Sequence, residues 1–307
     1  TFFLFNTLEI YLKKSTIIML EIIFNNQWYI LYLAAIMVAS AYVQRKGWIF
    51  PALNFLSKII KSNRLFIVIV SSICGVLPIP GRVSVSAGIL DTMAPKDERR
   101  RWYGIIDYLS THHYYLWSPL EKSVIVPMAV LGLTYFEFIY IMGPLAIIGI
   151  VLPLMLVFYF LKEEDVVWVN PAQKFDKVDW VNWKLLIAVA LVIILGNYIK
   201  SYTNEIKAYI ENNEWSLITG AWIGFAGSFA LGSSSRFAAF TAILTSIFGV
   251  QYLPLFFAID YAGYMLSPAH KCFILGKMYF KTPLITYYTF VIFLCSSIIA
   301  ISFLLVR

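Results

Sequence analysis

Charge is the scarcest ingredient of this 307-residue chain: 13% of its residues are Asp, Glu, Lys or Arg, against 60% hydrophobic, and the mean hydropathy is +0.76. Soluble domains carry about 25% charged residues, so the shortage excludes an ordinary soluble fold and favours repeated crossing of a bilayer. Alternating segments of about ten residues are also lacking, which excludes a membrane β-barrel; the apolar runs are continuous and predict helices. Acidic residues number 17 against 24 basic ones, a net charge of +7. The basic excess sits in short loops between apolar runs, the usual mark of cytoplasmic loops, so no nucleic-acid partner is expected. The three cysteines, Cys74, Cys272 and Cys295, fall in apolar runs without metal-ligand spacing and read as small core residues, neither a disulfide framework nor a zinc site. No Ser-His-Asp, HExxH, P-loop or dinucleotide motif occurs, so neither an enzyme, a primary pump nor a bound cofactor is expected.

What is present is a broken apolar element, repeated. The run from residue 65 stops at Pro78-Ile79-Pro80-Gly81, places Arg82 at the break, and resumes as a small-residue helix carrying Ser84 and Ser86. Gly232-Ser233-Ser234-Ser235-Arg236, followed by FAAFTAILTS, repeats the design: slid by 154 residues, Gly81-Arg82-Val83 lies on Ser235-Arg236-Phe237. Downstream, Trp117-Ser118-Pro119-Leu120-Glu121-Lys122 is answered 149 residues later by Leu266-Ser267-Pro268-Ala269-His270-Lys271. Asp107-Tyr108 precedes the first Ser-Pro as Asp260-Tyr261 precedes the second. Three matches in the same order argue for an internal duplication.

The predicted fold is an all-α polytopic membrane protein built of two inverted repeats, each with a re-entrant hairpin and a Ser-Pro-broken transmembrane helix. Residues 1–134 form the N-terminal repeat: a span at 27–43, an amphipathic arm at 47–62, a hairpin at 65–94 and a broken helix at 102–134. Residues 1–26 fit an interfacial helix and a partial first span equally; no signal peptide is expected. Residues 135–182 supply a connecting span and a cytoplasmic loop. Residues 183–307 repeat the order in the opposite sense: a span at 183–199, an arm at 200–214, a hairpin at 215–248, a broken helix at 251–280 and a last span at 283–306. Each hairpin limb, about twelve residues or ~18 Å of helix, is too short to cross ~30 Å of hydrocarbon, and both flanks of the first hairpin are basic, so its ends return to one side. Threaded this way, the other face receives only Lys200, Lys207 and Arg307, with the unplaced N-terminal lysines set aside. That asymmetry satisfies the positive-inside rule and makes the repeats inverted, a transporter signature.

Helix breaks inside a membrane expose backbone N–H and C=O groups, tolerated only against protein or a hydrated cavity. N–H ends favour an anion; carbonyls with hydroxyls suit a cation such as Na+. The candidate substrate-binding residues are therefore Gly81, Arg82, Ser84, Ser118, Pro119, Gly232, Ser233, Ser234, Ser235, Arg236, Ser267 and Pro268. The competing reading of the serines and glycines is close helix packing. Arg82 and Arg236 stand out, because a guanidinium inside a span costs at least about 2.5 kcal/mol on insertion scales. Two readings stay open: they hold an anionic substrate, or they form internal ion pairs, for instance with Asp91, Asp107 or Asp260. Lys122 and Lys271 are placed to pair with Asp107 and Asp260 or to add to the substrate field. Asp107, Asp260, Glu121 and His270 are the ion-coupling candidates, for Na+ or H+. His112-His113 is no metal pair by itself, since adjacent residues diverge by ~100° on a helix and no third ligand is evident; no metal site is expected.

The order GVLPIPG, STHHYYLWSPLEKSVIVP, GSSSRFAAF and GYMLSPAHKCFILGKMYFK resembles an uncharacterised prokaryotic integral-membrane family placed near the gluconate, citrate and dicarboxylate permeases of the ion transporter superfamily. The resemblance covers about residues 27–281 and is most specific over 263–272. The chain departs from the family pattern at Arg82, where glycine is usual, and at Thr111-His112, where Arg-His is usual. The resemblance implies two inverted repeats with hairpins, a homodimer, an elevator motion and a prokaryotic inner-membrane location; it implies no substrate. The expectation is a cation-coupled secondary transporter of a small organic anion of carboxylate type. The alternatives are a passive anion channel, or a non-transporting membrane interaction protein or enzyme.

Overall fold

A computed structural model describes residues 24–76 apart from 26, 33, 40 and 44, together with 82–166, 183–201, 205, 208, 216–232 and 234–306. For residues 49, 165, 185, 188, 199–201, 234–236, 271 and 275 it describes the backbone alone. Every regular element among the described residues is helical. After helical residues within 27–43 come α1 (Ile49–Ile59), α2 (Asn63–Val76), α3 (Arg82–Met93), α4 (Arg100–Ser110), a 3-10 turn at His113–Leu116, α5 (Lys122–Leu131) and α6 (Tyr135–Phe160). Then follow α7 (Trp183–Ser201), α8 (Leu217–Leu231), α9 (Ser234–Phe248), α10 (Leu253–Leu266), α11 (Lys271–Phe280) and α12 (Leu284–Leu305).

The all-helical class stands. Two helices, α6 with 26 residues and α12 with 22, are long and apolar enough to cross a membrane. Residues Phe136, Tyr140 and Tyr159 on α6 and Ile285 and Leu304 on α12 are more than 70% exposed, an apolar exterior that water does not favour. Helices α2, α3, α8 and α9 have 14, 12, 15 and 15 residues, about 18–23 Å, short of the hydrocarbon thickness. Partners α2 and α3 pack on each other, as do α8 and α9, so both hairpins of half-length helices are present. Residues 1–23, the first hairpin tip at 77–81, the loop residues 167–182 and most of the second arm lie outside the described residues.

Packing between elements is largely reciprocal. The second limb of the first hairpin, α3, lies on α11, the last part of the second broken helix; the second limb of the other hairpin, α9, lies on α5, the last part of the first. Likewise α4 packs on α6 and α10 on α12, while α12 touches α4 and α6 touches α10. One large core joins nearly all of these elements, with Phe66, Tyr103, Tyr108, Tyr114, Phe237, Phe257, Tyr261 and Tyr287 fully buried. A second cluster, including Ile125, Val130, Ile193 and Ala242, fixes α7 against α5 and α9.

The breaks differ in extent from the expectation. The second falls at Ser267-Pro268 and spans only residues 267–270, but the first opens at Thr111, before Ser118-Pro119, and closes at Glu121. Helix α6 restarts the chain on a capping box, Thr134 accepting from the Glu137 N–H while the Glu137 side chain takes the Thr134 N–H. The two segments after the breaks end alike: α5 stops at Gly132 (φ 74°) and α11, 149 residues on, at Lys281 (φ 54°). Left-handed backbone suits glycine and strains lysine. Because Lys281 is exposed, Lys281→Gly is expected to raise stability by about 0.5–1 kcal/mol in a thermal or denaturant melt. A loss of stability instead would show that the lysine side chain holds this end of α11.

Candidate functional site

The two Ser-Pro sequences fold into the same turn. Ser118 accepts on Oγ from Leu120 N at 3.3 Å, and its carbonyl takes the Glu121 N–H at 3.0 Å. Ser267 accepts from Ala269 N at 3.2 Å, and its carbonyl takes the His270 N–H at 3.1 Å. Glu121 and His270 thus hold equivalent places at the N-termini of α5 and α11. Ser118 and Ser267 are buried, Pro119 is half-buried and Pro268 exposed. Ser267 also donates to Phe229 O at 2.5 Å, which seats the second turn on the end of α8. There Gly232, left-handed at φ 53°, closes the helix on Ser228 O; a Cβ at Gly232 would come within 2.8 Å of Ser267 Oγ.

The breaks meet each other. Tyr108 at the end of α4 donates to Met265 O at 2.9 Å, and Tyr261 on α10 reaches back to His112 O at 3.5 Å. Adding 153 converts Tyr108 into Tyr261 and His112 into Met265, so the two bonds are one contact made in both directions. The Tyr115 and Tyr264 hydroxyls join at 3.1 Å, and His112 Nε2 lies 3.0 Å from His270 Nε2.

Arg82 sits at the first break. Its guanidinium donates to Glu121 Oε2 at 3.0 Å and to the Tyr115 hydroxyl at 2.9 Å, and lies 4.4 Å from the Tyr114 ring centre. Lys122 approaches the other Glu121 oxygen at 3.3 Å. The ion-pair reading of Arg82 therefore holds with a different partner from those expected. Asp91 is taken by Arg100 at the end of α3, and Asp107 and Asp260 lie one in each repeat, away from both cations. Lys122 correspondingly pairs with its neighbour Glu121, not with an aspartate. Glu121, expected among the ion-coupling groups, is the carboxylate that Arg82 and Lys122 share. Ser84 is half-buried on the first turn of α3. Gly81 and Ser233 lie outside the described residues, as do the side chains of Ser234, Ser235, Arg236 and Lys271.

Each aspartate is wedged between the limbs of its own hairpin. Asp107 accepts from Ser71 on α2 at 2.8 Å and from Ser86 on α3. Asp260 accepts from Thr241 on α9 at 2.7 Å and presses on Gly224 of α8, where any Cβ would fall on its Oδ1. That Oδ1 is buried without a hydrogen-bond partner, as are Ser228 Oγ and Thr245 Oγ1. Ser228 and Thr245 stand one helical turn from Gly224 and Thr241, to opposite sides of Asp260 along α10, because α8 and α9 are antiparallel.

The histidines separate. His113 turns toward α2, its Nε2 2.9 Å from Ser72 Oγ and its Nδ1 accepting from Trp117 Nε1 at 3.0 Å. His112 turns to the second break, where His270 and Cys272 bring ligand atoms to within 4.8 Å of it and of one another. The sequence offered no third ligand beside His112-His113; His270 and Cys272 lie 158 and 160 residues from His112, and the repeated Ser-Pro pattern was the one signal pairing the two stretches. A surface cavity of about 590 Å³ lined by Lys96, Arg100, Arg101 and Lys281 shares no residue with either break. Comparison with protein-family models, with curated proteins and with solved structures finds no match.

Removing buried Glu121 leaves the half-buried Arg82 guanidinium without its carboxylate, whereas removing Arg82 leaves Glu121 with Lys122. Glu121→Gln is expected to cost about 3 kcal/mol, and adding Arg82→Ala to recover part of it. A double-mutant cycle on thermal stability in detergent measures this; additive losses would dissolve the pair.

Proposed function

We propose that this chain is a secondary transporter of the prokaryotic inner membrane, carrying a small organic anion of carboxylate type in symport with Na+ or H+. The observation that carries the reading is the reciprocal contact of the two breaks, Tyr108 to Met265 and Tyr261 to His112. A duplicated pair of broken helices meeting at one buried centre, each beside a half-length hairpin, is how inverted-repeat transporters make a midplane site. The repeats are inverted, and 27–43, 135–161 and 183–199 form the scaffold of a homodimer along which the hairpins move as an elevator, as the family resemblance implies.

Arg82 is the anion's anchor: a substrate carboxylate replaces Glu121 against the guanidinium, a planar fork suited to bidentate carboxylate. Asp260 is the coupling group. Its buried Oδ1, without a hydrogen-bond partner, offers an oxygen atom to a cation, whereas Asp107 has two serine donors already. Coupling is required because an anion entering alone works against a negative-inside potential, about 2.3 kcal/mol per charge per 100 mV.

Proteoliposome uptake of a panel of mono-, di- and tricarboxylates under imposed Na+ and pH gradients tests the reading. At least one anion is expected to accumulate saturably in the unaltered protein. Asp260→Asn is expected to abolish accumulation while leaving downhill exchange, and Arg82→Ala to raise KM at least tenfold. Non-saturating, gradient-independent flux would instead identify a channel. Inversion is checked separately: single cysteines near 98 and 206 should label from opposite sides of the membrane, and labelling from one side refutes it.

A further inference from the structure

We propose that His112, His270 and Cys272 form a three-ligand site for a thiophilic transition metal of the zinc class, bridging the two helix breaks. Among the described residues they are the only group of three such side chains with ligand atoms this close.

The hydrogen bonds fix the state of both rings. His112 Nδ1 lies 2.6 Å from Tyr108 O, and His270 Nδ1 lies 3.1 Å from Tyr264 O. A carbonyl only accepts, so each Nδ1 carries the proton and donates it. The other neighbours agree. Thr111 Oγ1 donates to Asp107 O and is left accepting beside His112, and the Tyr108 hydroxyl donates to Met265 O and is left accepting beside His270. In neutral rings both Nε2 atoms are then lone pairs, yet they face each other at 3.0 Å. Two lone pairs at that distance repel unless a cation lies between them. A shared proton would place one net positive charge there; a divalent ion with the Cys272 thiolate carries the same net charge and engages both lone pairs and the sulfur.

The spacing fits. Bonds of 2.0–2.1 Å at a tetrahedral angle put two nitrogens about 3.3 Å apart, and a thiolate at 2.3 Å falls roughly 3.6 Å from each. His112 and His270 are buried, and Cys272 is half-buried, which gives an ion a way in. The backbone carbonyls on both Nδ1–H groups are the outer-shell partners that orient metal-binding histidines. Two imidazoles and one thiolate suit zinc or its thiophilic neighbours over magnesium or calcium, and leave a fourth position open. Binding releases the Cys272 thiol proton to solvent and takes none from the imidazoles.

The test uses the full chain, purified without a histidine tag and stripped of metal, with Co2+ as the probe. About one Co2+ per chain is expected, with tetrahedral visible absorption and a near-ultraviolet sulfur-to-cobalt band, both displaced by Zn2+. Cys272→Ser should remove the sulfur band, and His112→Ala should weaken Co2+ binding more than about 100-fold, beyond what loss of an outer-shell partner costs. A measurement that needs no variant is protection of Cys272 from maleimide by Zn2+, read by peptide mass with buried Cys74 and Cys295 as references. No Co2+ bound by the unaltered chain, a sulfur band surviving Cys272→Ser, or equal labelling of Cys272 with and without Zn2+ each overturns the proposal. None of these readouts involves transport, so the site stands or falls apart from the proposed function.

Discussion

A helix interrupted inside an apolar body strands carbonyls that have no water to turn to, and the centre of this protein is arranged around supplying them. At the first break His112 takes Tyr108 O, Tyr261 reaches His112 O, Ser123 takes Tyr115 O and Tyr135 takes Trp117 O. At the second, Tyr108 takes Met265 O, His270 takes Tyr264 O and Ser267 takes Phe229 O. An unmet carbonyl there would cost several kcal/mol. Two fully buried tyrosines, Tyr108 and Tyr261, answer this demand: each brings a large apolar body with one hydroxyl at its tip. Breaks are thus held open as fixed geometry and do not relax back to continuous helix.

Because Tyr108 and Tyr261 each cross to the other break, neither half of the chain satisfies its broken backbone alone. The halves fold onto one another as a condition of burying the breaks. This makes the centre the joint between the two halves of the chain as well as the candidate site, with each hairpin tied to it through Asp107 or Asp260. Their inner polar groups are local: Ser71 and Ser86 close on Asp107, and Thr241 on Asp260. A hairpin moving with its aspartate keeps those bonds intact, which is the property an elevator domain requires under the proposed mechanism.

Much of this was legible in the chain. Proline after serine, a guanidinium beside a glycine and a paired Asp-Tyr marked the breaks and their repetition, because each residue type has a local backbone reason to be there. The half-length limbs followed from counting apolar residues between polar ones. What stayed hidden depends on rotation about helix axes and on pairing at long range. Glu121 as the partner of Arg82 is 39 residues away, and three aspartates were as plausible in one dimension. The width of the first break was hidden because residues 111–117 are aromatic-rich and carry no proline, so nothing in them announces the end of α4. His112 was weighed only against its neighbour His113, whereas its companions come from the far side of the duplication.

Equivalent scaffolds have been given unlike contents. At the same place after each Ser-Pro turn stand Glu121 and His270; the first receives Arg82 and the second His112. The Tyr115–Tyr264 hydroxyl contact joins these centres, since Tyr115 also accepts from Arg82 and the Tyr264 ring lies 4.2 Å from His270. A buried ion pair is weak support for stability, because desolvation offsets most of its attraction. Hydrophobic residues of equal volume would hold the fold as well. Retaining an arginine, a glutamate and two facing imidazoles at one joint is therefore better explained by what they bind than by what they stabilise. The two centres differ in kind: a guanidinium answers to carboxylate, a pair of imidazole lone pairs to a cation. Placed a tyrosine pair apart, under the two proposals they give the joint between the halves one position for each sign of charge.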